Sequence, residues 1–113
     1  MIINKREEKG VVILEPDGRL DSNTSPILEQ EISHIESGAD GYHLLVDFLN
    51  IDYISSAGLR VILKAFKERQ EGPKFFAVSG MKEHVREVFE ISGFDSYIAN
   101  HPDYIQAIKS LTS

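Results

Sequence analysis

The sequence predicts an α/β fold, a mixed and mainly parallel sheet of four to five strands opened by an antiparallel hairpin and carrying about four helices. Three observations predict it. Short apolar runs rich in β-branched and aromatic residues alternate with segments whose apolar residues recur every three or four positions. The run Tyr42 to Phe48, with HLLVDF at its core, is almost uninterruptedly apolar, as a parallel central strand buried on both faces must be. Glu8-Lys9-Gly10 is a connection so short that the strands on either side of it pair antiparallel. No repeat or linker interrupts the chain, so its 113 residues read as a single domain over residues 1–113.

The elements follow in order. Ile2 to Glu8 is the first strand and Val11 to Leu14 the second, with Pro16 and Gly18 disturbing its end. The string Asp21 to Pro26 starts a helix, with Ser25 as the cap and Pro26 at the first helical position, where a missing N–H costs nothing. Leu28, Ile32 and Ile35 share one face of it, and Gly38 and Gly41 bracket its exit. After the Tyr42 to Phe48 strand, Asn50 to Ser56 reads as a short loop. Ala57 to Gln70 returns to helical spacing, with Leu59, Ile62, Leu63 and Phe66 inward and Arg60, Lys64 and Lys67 on another face, until Gly72-Pro73 stops it. Lys74 to Ser79 is the next strand. Glu83 to Ser92 is a helix with Val85, Val88 and Phe89 on one side and Gly93 at its C-terminal cap. Tyr97-Ile98-Ala99 is a short last strand, and Pro102 opens a final helix with Ile105, Ile108 and Leu111 inward.

Composition removes several functions. With no cysteine, the chain has no disulfide framework, thiol nucleophile, cysteine zinc site or iron–sulfur cluster. A formal net charge of −6 and a pI near 5.1 oppose sequence-independent binding to nucleic acid, which requires a positive field. The apolar runs are far short of a membrane span, and MIINKREEKG lacks the apolar core of a signal peptide, so a cytoplasmic location is expected. His34, His43, His84 and His101 are scattered without metal-ligand spacing, and no glycine-rich loop offers a phosphate cradle, so neither a metal nor a cofactor is expected.

The chemistry-bearing stretch is Asp47 to Leu59, which leaves the C-terminal end of the central strand and enters a helix. Ligand and partner sites of open α/β sheets gather on that edge. Ser55 and Ser56 sit at the helix mouth, where free N–H groups and the helix dipole favour an anion such as phosphate. On the residues alone, a plain capping role for either serine stays open. Asp47 reads as a loop cap, a partner contact or, in a receiver domain, a phospho-acceptor. Asp21 is a turn residue before the first helix, Tyr53 packs on the loop or joins a contact surface, and Arg60, Lys64 and Lys67 form a solvated face or meet an acidic partner. A receiver domain needs an acidic pair after its first strand and a lysine late in the sheet. Here Glu15-Pro16-Asp17 and the position of Lys82 match that pattern poorly. A serine hydrolase needs a G-x-S-x-G elbow, whereas Ser56 lies in ISSAG.

The segment VDFLNIDYISSAGLRVILKAFKE resembles the signature of the STAS domain of bacterial anti-sigma factor antagonists. In that family a strand ending in aspartate leads to D-S-S/T-G-L-G at a helix start, and the serine directly after the second aspartate is phosphorylated. Alignment on Gly58-Leu59 sets Ser55 at the position of that aspartate and Ser56 at the phosphoserine, with Ser55 as the alternative acceptor. Gly18 to Thr24 resembles the family's G-E/R-L-D block, and Val85 to Phe94 its late helix ending in serine and glycine. The resemblance implies a STAS-like fold and a non-enzymatic partner-switching protein. Its unphosphorylated form would bind an anti-sigma factor with serine kinase activity, and a serine/threonine phosphatase would reset it. It implies a partner surface drawn from Asp21, Asp47, Asp52, Tyr53, Ser55, Ser56, Gly58 and Arg60. A STAS scaffold in a larger signalling assembly, without reversible phosphorylation, is the alternative.

Overall fold

The structure is a computed structural model describing residues 1–113. Strands β1 (Ile2–Glu8) and β2 (Val11–Leu20) form the antiparallel hairpin, turning through Lys9 and Gly10 at positive φ of 53° and 77°. Beyond β2 the sheet is parallel. β3 (His43–Asp47) pairs with β2, β5 (Phe76–Ser79) with β3, and the three-residue β6 (Ala99–His101) with β5.

Two departures from the sequence reading come from β2. It runs ten residues, straight through Pro16 and Gly18. Its ladder to β3 ends at Leu14 opposite Val46, and a second parallel ladder begins at Gly18 opposite Ile51. Pro16 therefore falls in the gap between the two, where no neighbour on that side calls for the N–H it lacks. The second ladder is made with β4 (Ile51–Ile54), a sixth strand where a loop was expected. Its I-D-Y-I sequence has no alternation because the register slips. Gly18 opposes Ile51 but Arg19 opposes Tyr53, so Asp52 is an extra residue, Ile51 and Ile54 turn inward, and Asp52 and Tyr53 stay at the surface.

Four helices cover the sheet. α1 (Ser25–Ser33), α2 (Ser56–Arg69) and α3 (Glu83–Ile91) enclose the larger core with Val12, Leu14, Leu44, Val46, Phe76 and Val78. Successive strand residues face opposite ways, so Val11, Ile13, Leu45 and Ala77 form a smaller core on the other face under α4 (Tyr104–Thr112). The cap of α1 falls at Thr24 and not Ser25. Ser25 is the first helical residue and is buried, and its hydroxyl has no partner. In α2 the deepest positions are Gly58, Val61, Ile62, Ala65 and Arg69, with Leu59, Leu63 and Phe66 only half-buried beside them. Val88 of α3 reaches the surface while Val85 and Phe89 are buried. Gly93, at φ +83°, ends α3 as expected and leads into a 3₁₀ turn at Phe94–Ser96, which displaces β6 past the expected Tyr97–Ala99. α4 starts after Asp103, whose carboxylate accepts from the Gln106 amide at 2.9 Å. It buries Ala107 and Ile108 and leaves Ile105 half-exposed.

Arg69 closes the far end of α2. Its guanidinium is buried and donates to the carbonyls of Tyr42 (2.7 Å) and Ile35 (3.0 Å), tying the segment between α1 and β3 to the helix. Burial lowers its pKa, yet the group stays charged at neutral pH. Arg69→Ala strips both carbonyls of their buried donor, and urea denaturation should show a loss of about 2–4 kcal/mol.

Candidate functional site

The sheet's C-terminal edge delivers two serines to the mouth of α2, and the backbone gives them different tasks. Ser55 is extended at φ −98° and ψ 176°; its N–H donates to the Leu20 carbonyl at 2.9 Å and its hydroxyl accepts from the Gly58 amide at 3.4 Å. It is the helix cap. Leu59 donates to the Ser55 carbonyl at 3.0 Å, which leaves the amides of Ser56 and Ala57 as the free N–H groups of the first turn. Ser56 is the first helical residue, and its side chain is exposed and without an intramolecular hydrogen bond. The capping role thus falls on one serine and frees the other.

Gly58 makes this geometry possible. A Cβ there would lie 2.8 Å from Ile54 Cγ1, 2.9 Å from Leu20 Cγ and 3.0 Å from the Leu20 carbonyl oxygen, distances that real side chains do not tolerate. Gly58 is therefore buried packing beneath the site, not a contact on its surface.

Asp47 is also beneath the surface, at 2% exposure. Its Oδ1 accepts from the Leu49 amide and the Ser79 hydroxyl, both at 3.3 Å. Of the readings given to Asp47, the loop cap is the one its geometry supports, because so enclosed a carboxylate presents nothing to a partner or a phosphoryl donor. Gly80, at φ +68°, gives it room, since a Cβ there would lie 2.4 Å from Oδ1. Burial raises the Asp47 pKa above its ordinary value, against the pull of these two donors.

The other charges around the mouth are engaged with one another. The Asp21 carboxylate accepts from the amides of Asn23 (2.9 Å) and Thr24 (3.1 Å), bonds that hold its pKa below 3.8 and form the turn before α1. Thr24 completes that turn by donating to the Arg19 carbonyl at 2.6 Å. The Arg19 guanidinium stacks over the Tyr53 ring, 4.2 Å from its centroid, and lies 4.0 Å from Asp21. Asp52 pairs with Lys82, whose hydrogen bond lowers its pKa, and His84 Nε2 bonds the Asp52 backbone carbonyl. Lys64 pairs with Glu29 of α1 at 2.6 Å, while exposed Arg60 has no acidic partner. The structure thus gathers Asp21, Asp52, Tyr53, Ser55, Ser56 and Arg60 along this edge and its helix. It adds Leu49, 56% exposed on the turn between β3 and β4, directly after the apolar run that ends at Phe48. The histidines do not converge: His43 Nδ1 accepts from the Phe75 amide at 3.0 Å, and His34 lies in a separate cleft beside Lys5 and Tyr42.

The chain as a whole is similar to known proteins. Residues 3–107 match the family described as STAS domain. The chain belongs to the STAS domain family. Among its relatives, the Bordetella bronchiseptica protein named "Putative anti-sigma factor antagonist BtrV" is 38% identical over 86 residues, covering 75% of this chain and 72% of its own. A Thermotoga maritima crystal structure described as a putative anti-sigma factor antagonist superposes with a TM-score of 0.89 at 20% identity, covering 98% of this chain and 95% of that one. The Bacillus protein SpoIIAA in its phosphorylated form gives a TM-score of 0.69 at 16% identity, covering 96% and 98%. The STAS fold of this chain is thus shared across wide sequence divergence. No helix of the structure is long and apolar enough to cross a membrane.

Two measurements check this account of the site. Gly58→Ala should destabilise the domain by about 1–2 kcal/mol in urea, an overpacking cost of about 1–3 kcal/mol partly offset by the better helix propensity of alanine. For Asp47 the raised pKa means that the folded chain holds this proton above pH 3.8 more tightly than the unfolded chain does, so this group's contribution to stability falls as pH rises from there. Asp47→Asn, which keeps the acceptor oxygen without the charge, should therefore gain stability relative to wild type on going from pH 3.5 to pH 7. Urea titrations at the two pH values read that difference.

Proposed function

We propose that this chain is an anti-sigma factor antagonist whose unphosphorylated form binds an anti-sigma factor with serine kinase activity, freeing a sigma factor, and which is released by phosphorylation of Ser56. The observation that carries the reading is the division of labour between the serines. Ser55 is spent on the cap and Ser56 is exposed and unbonded in the first turn of α2. The names of its relatives support the same reading, as does the existence of SpoIIAA in unphosphorylated and phosphorylated forms.

In this mechanism the protein is substrate and ligand, not enzyme. The kinase supplies ATP and magnesium; the chain supplies a hydroxyl on a rigid helix end. The contact surface comprises Tyr53, Leu49, Arg60 and the Asp21 turn around Ser56, while Gly58 and Asp47 hold it from beneath. Phosphorylation adds about −1.5 to −2 charges at pH 7. The helix N-terminus tolerates that charge, so the fold changes little. At the interface a dianion replaces a neutral hydroxyl, and a loss of about 2.7 kcal/mol there weakens binding roughly a hundredfold. A serine/threonine phosphatase resets the switch in the cytoplasm.

Intact-mass spectrometry with site mapping, on protein from its native cells with phosphate preserved, should find a gain of about 80 Da on Ser56. Phosphate on Ser55 alone would break the assignment of the acceptor, and none under any growth condition would favour a constitutive scaffold. With the co-purifying anti-sigma factor in hand, Ser56→Ala should retain binding and Ser56→Glu should weaken it by at least tenfold.

A further inference from the structure

We infer that Arg60 is the intramolecular receptor for a phosphate on Ser56, so that modification withdraws the one uncommitted cation of this edge from the partner surface. The inference rests on Ser56 as the acceptor and goes beyond it to how the mark is held.

Arg60 lies four residues after Ser56 on α2, so the two side chains stand one above the other on the same helix face. Both are exposed. The cations of the neighbouring elements are occupied: Arg19 by the Tyr53 ring and Asp21, Lys82 by Asp52, and Lys64 by Glu29. His84 is held on the Asp52 carbonyl. Arg60 has no such partner, and its guanidinium can offer two parallel N–H groups to a phosphate. The free amides of Ser56 and Ala57 point the same way, since they leave the helix mouth able to take the phosphate's remaining oxygens. Before phosphorylation Arg60 is available to an acidic group on the partner. Afterwards the same side chain turns back one helical turn. One modification thus adds a dianion and removes a cation, and both changes weaken an interface matched to the unmodified surface.

The test places phosphoserine at position 56 during translation, so it reads the pair whether or not a kinase acts in cells. Phosphorus-31 NMR then follows the second ionisation of the phosphate, ordinarily near pH 6. In the otherwise wild-type protein that pKa should lie below its value in Arg60→Gln by about 0.3 unit or more, and the gap should shrink as salt is added. Lys64→Gln removes the same charge one turn further on, where Glu29 already holds it, and should leave the pKa at the wild-type value. Superimposable titrations of wild type and Arg60→Gln would overturn the inference. So would a shift in Lys64→Gln as large as that in Arg60→Gln, which would mark a general field effect rather than a specific pair.

Discussion

Helix α2 starts where its backbone can touch the end of β2, and Gly58 is the contact. With Leu20 and Ile54 within 3.0 Å of where a side chain would begin, only the glycine backbone fits. This close approach sets the angle at which α2 leaves β4. The angle puts the Ser55 hydroxyl on the Gly58 amide and its N–H on the Leu20 carbonyl. Ser56 then has nowhere to turn but outward. The functional geometry of the edge is in this sense a packing result. A serine is presented because a glycine two residues later lets the helix sit down on the sheet.

A second set of constraints works from below. Asp47 and Ser79 end adjacent parallel strands and oppose each other in register, so the carboxylate and hydroxyl meet in the interior. The same carboxylate receives the Leu49 amide and so shapes the turn that carries the chain from β3 into β4. Keeping a carboxylate at that depth is costly, as its raised pKa records, and the two donors and the space left by Gly80 offset part of the cost. On the far side Arg69 does comparable work with carbonyls, so both ends of the α2 layer are closed by buried polar groups.

The electrostatics of the edge differ from those of the chain as a whole. The protein carries a formal charge of −6, yet Arg19, Arg60 and Lys82 stand around the helix mouth. Two of the three are engaged by neighbours, which leaves the surface organised rather than merely charged. A kinase partner under the proposed function meets an exposed Leu49, a Tyr53 ring fixed beneath a guanidinium, and one unpaired cation.

Local patterns carried most of the fold. The alternation of strand and helix periods, the apolar β3 run, the Gly10 turn and the Gly93 cap are short-range signals, and each element they announced exists. The block ISSAGLR at a strand-to-helix junction announced the site for the same reason. What sequence could not supply depended on which strand lies beside which. Pro16 and Gly18 read as breakers because Pro16 is tolerated in a gap between two ladders on β2 and Gly18 is where the second ladder begins. IDYI read as a loop because its buried positions follow a register slip rather than an alternation. Ser25 read as a cap because composition cannot tell a cap from the residue after it. Asp47 was legible as a strand-end acid, but its buried setting depends on the neighbouring β5, whose Ser79, thirty-two residues away in the chain and adjacent in the sheet, donates to it. The division between Ser55 and Ser56 is of the same kind. Both hydroxyls are equivalent in the sequence, and only the docking of α2 on Leu20 and Ile54 decides which is held and which is free.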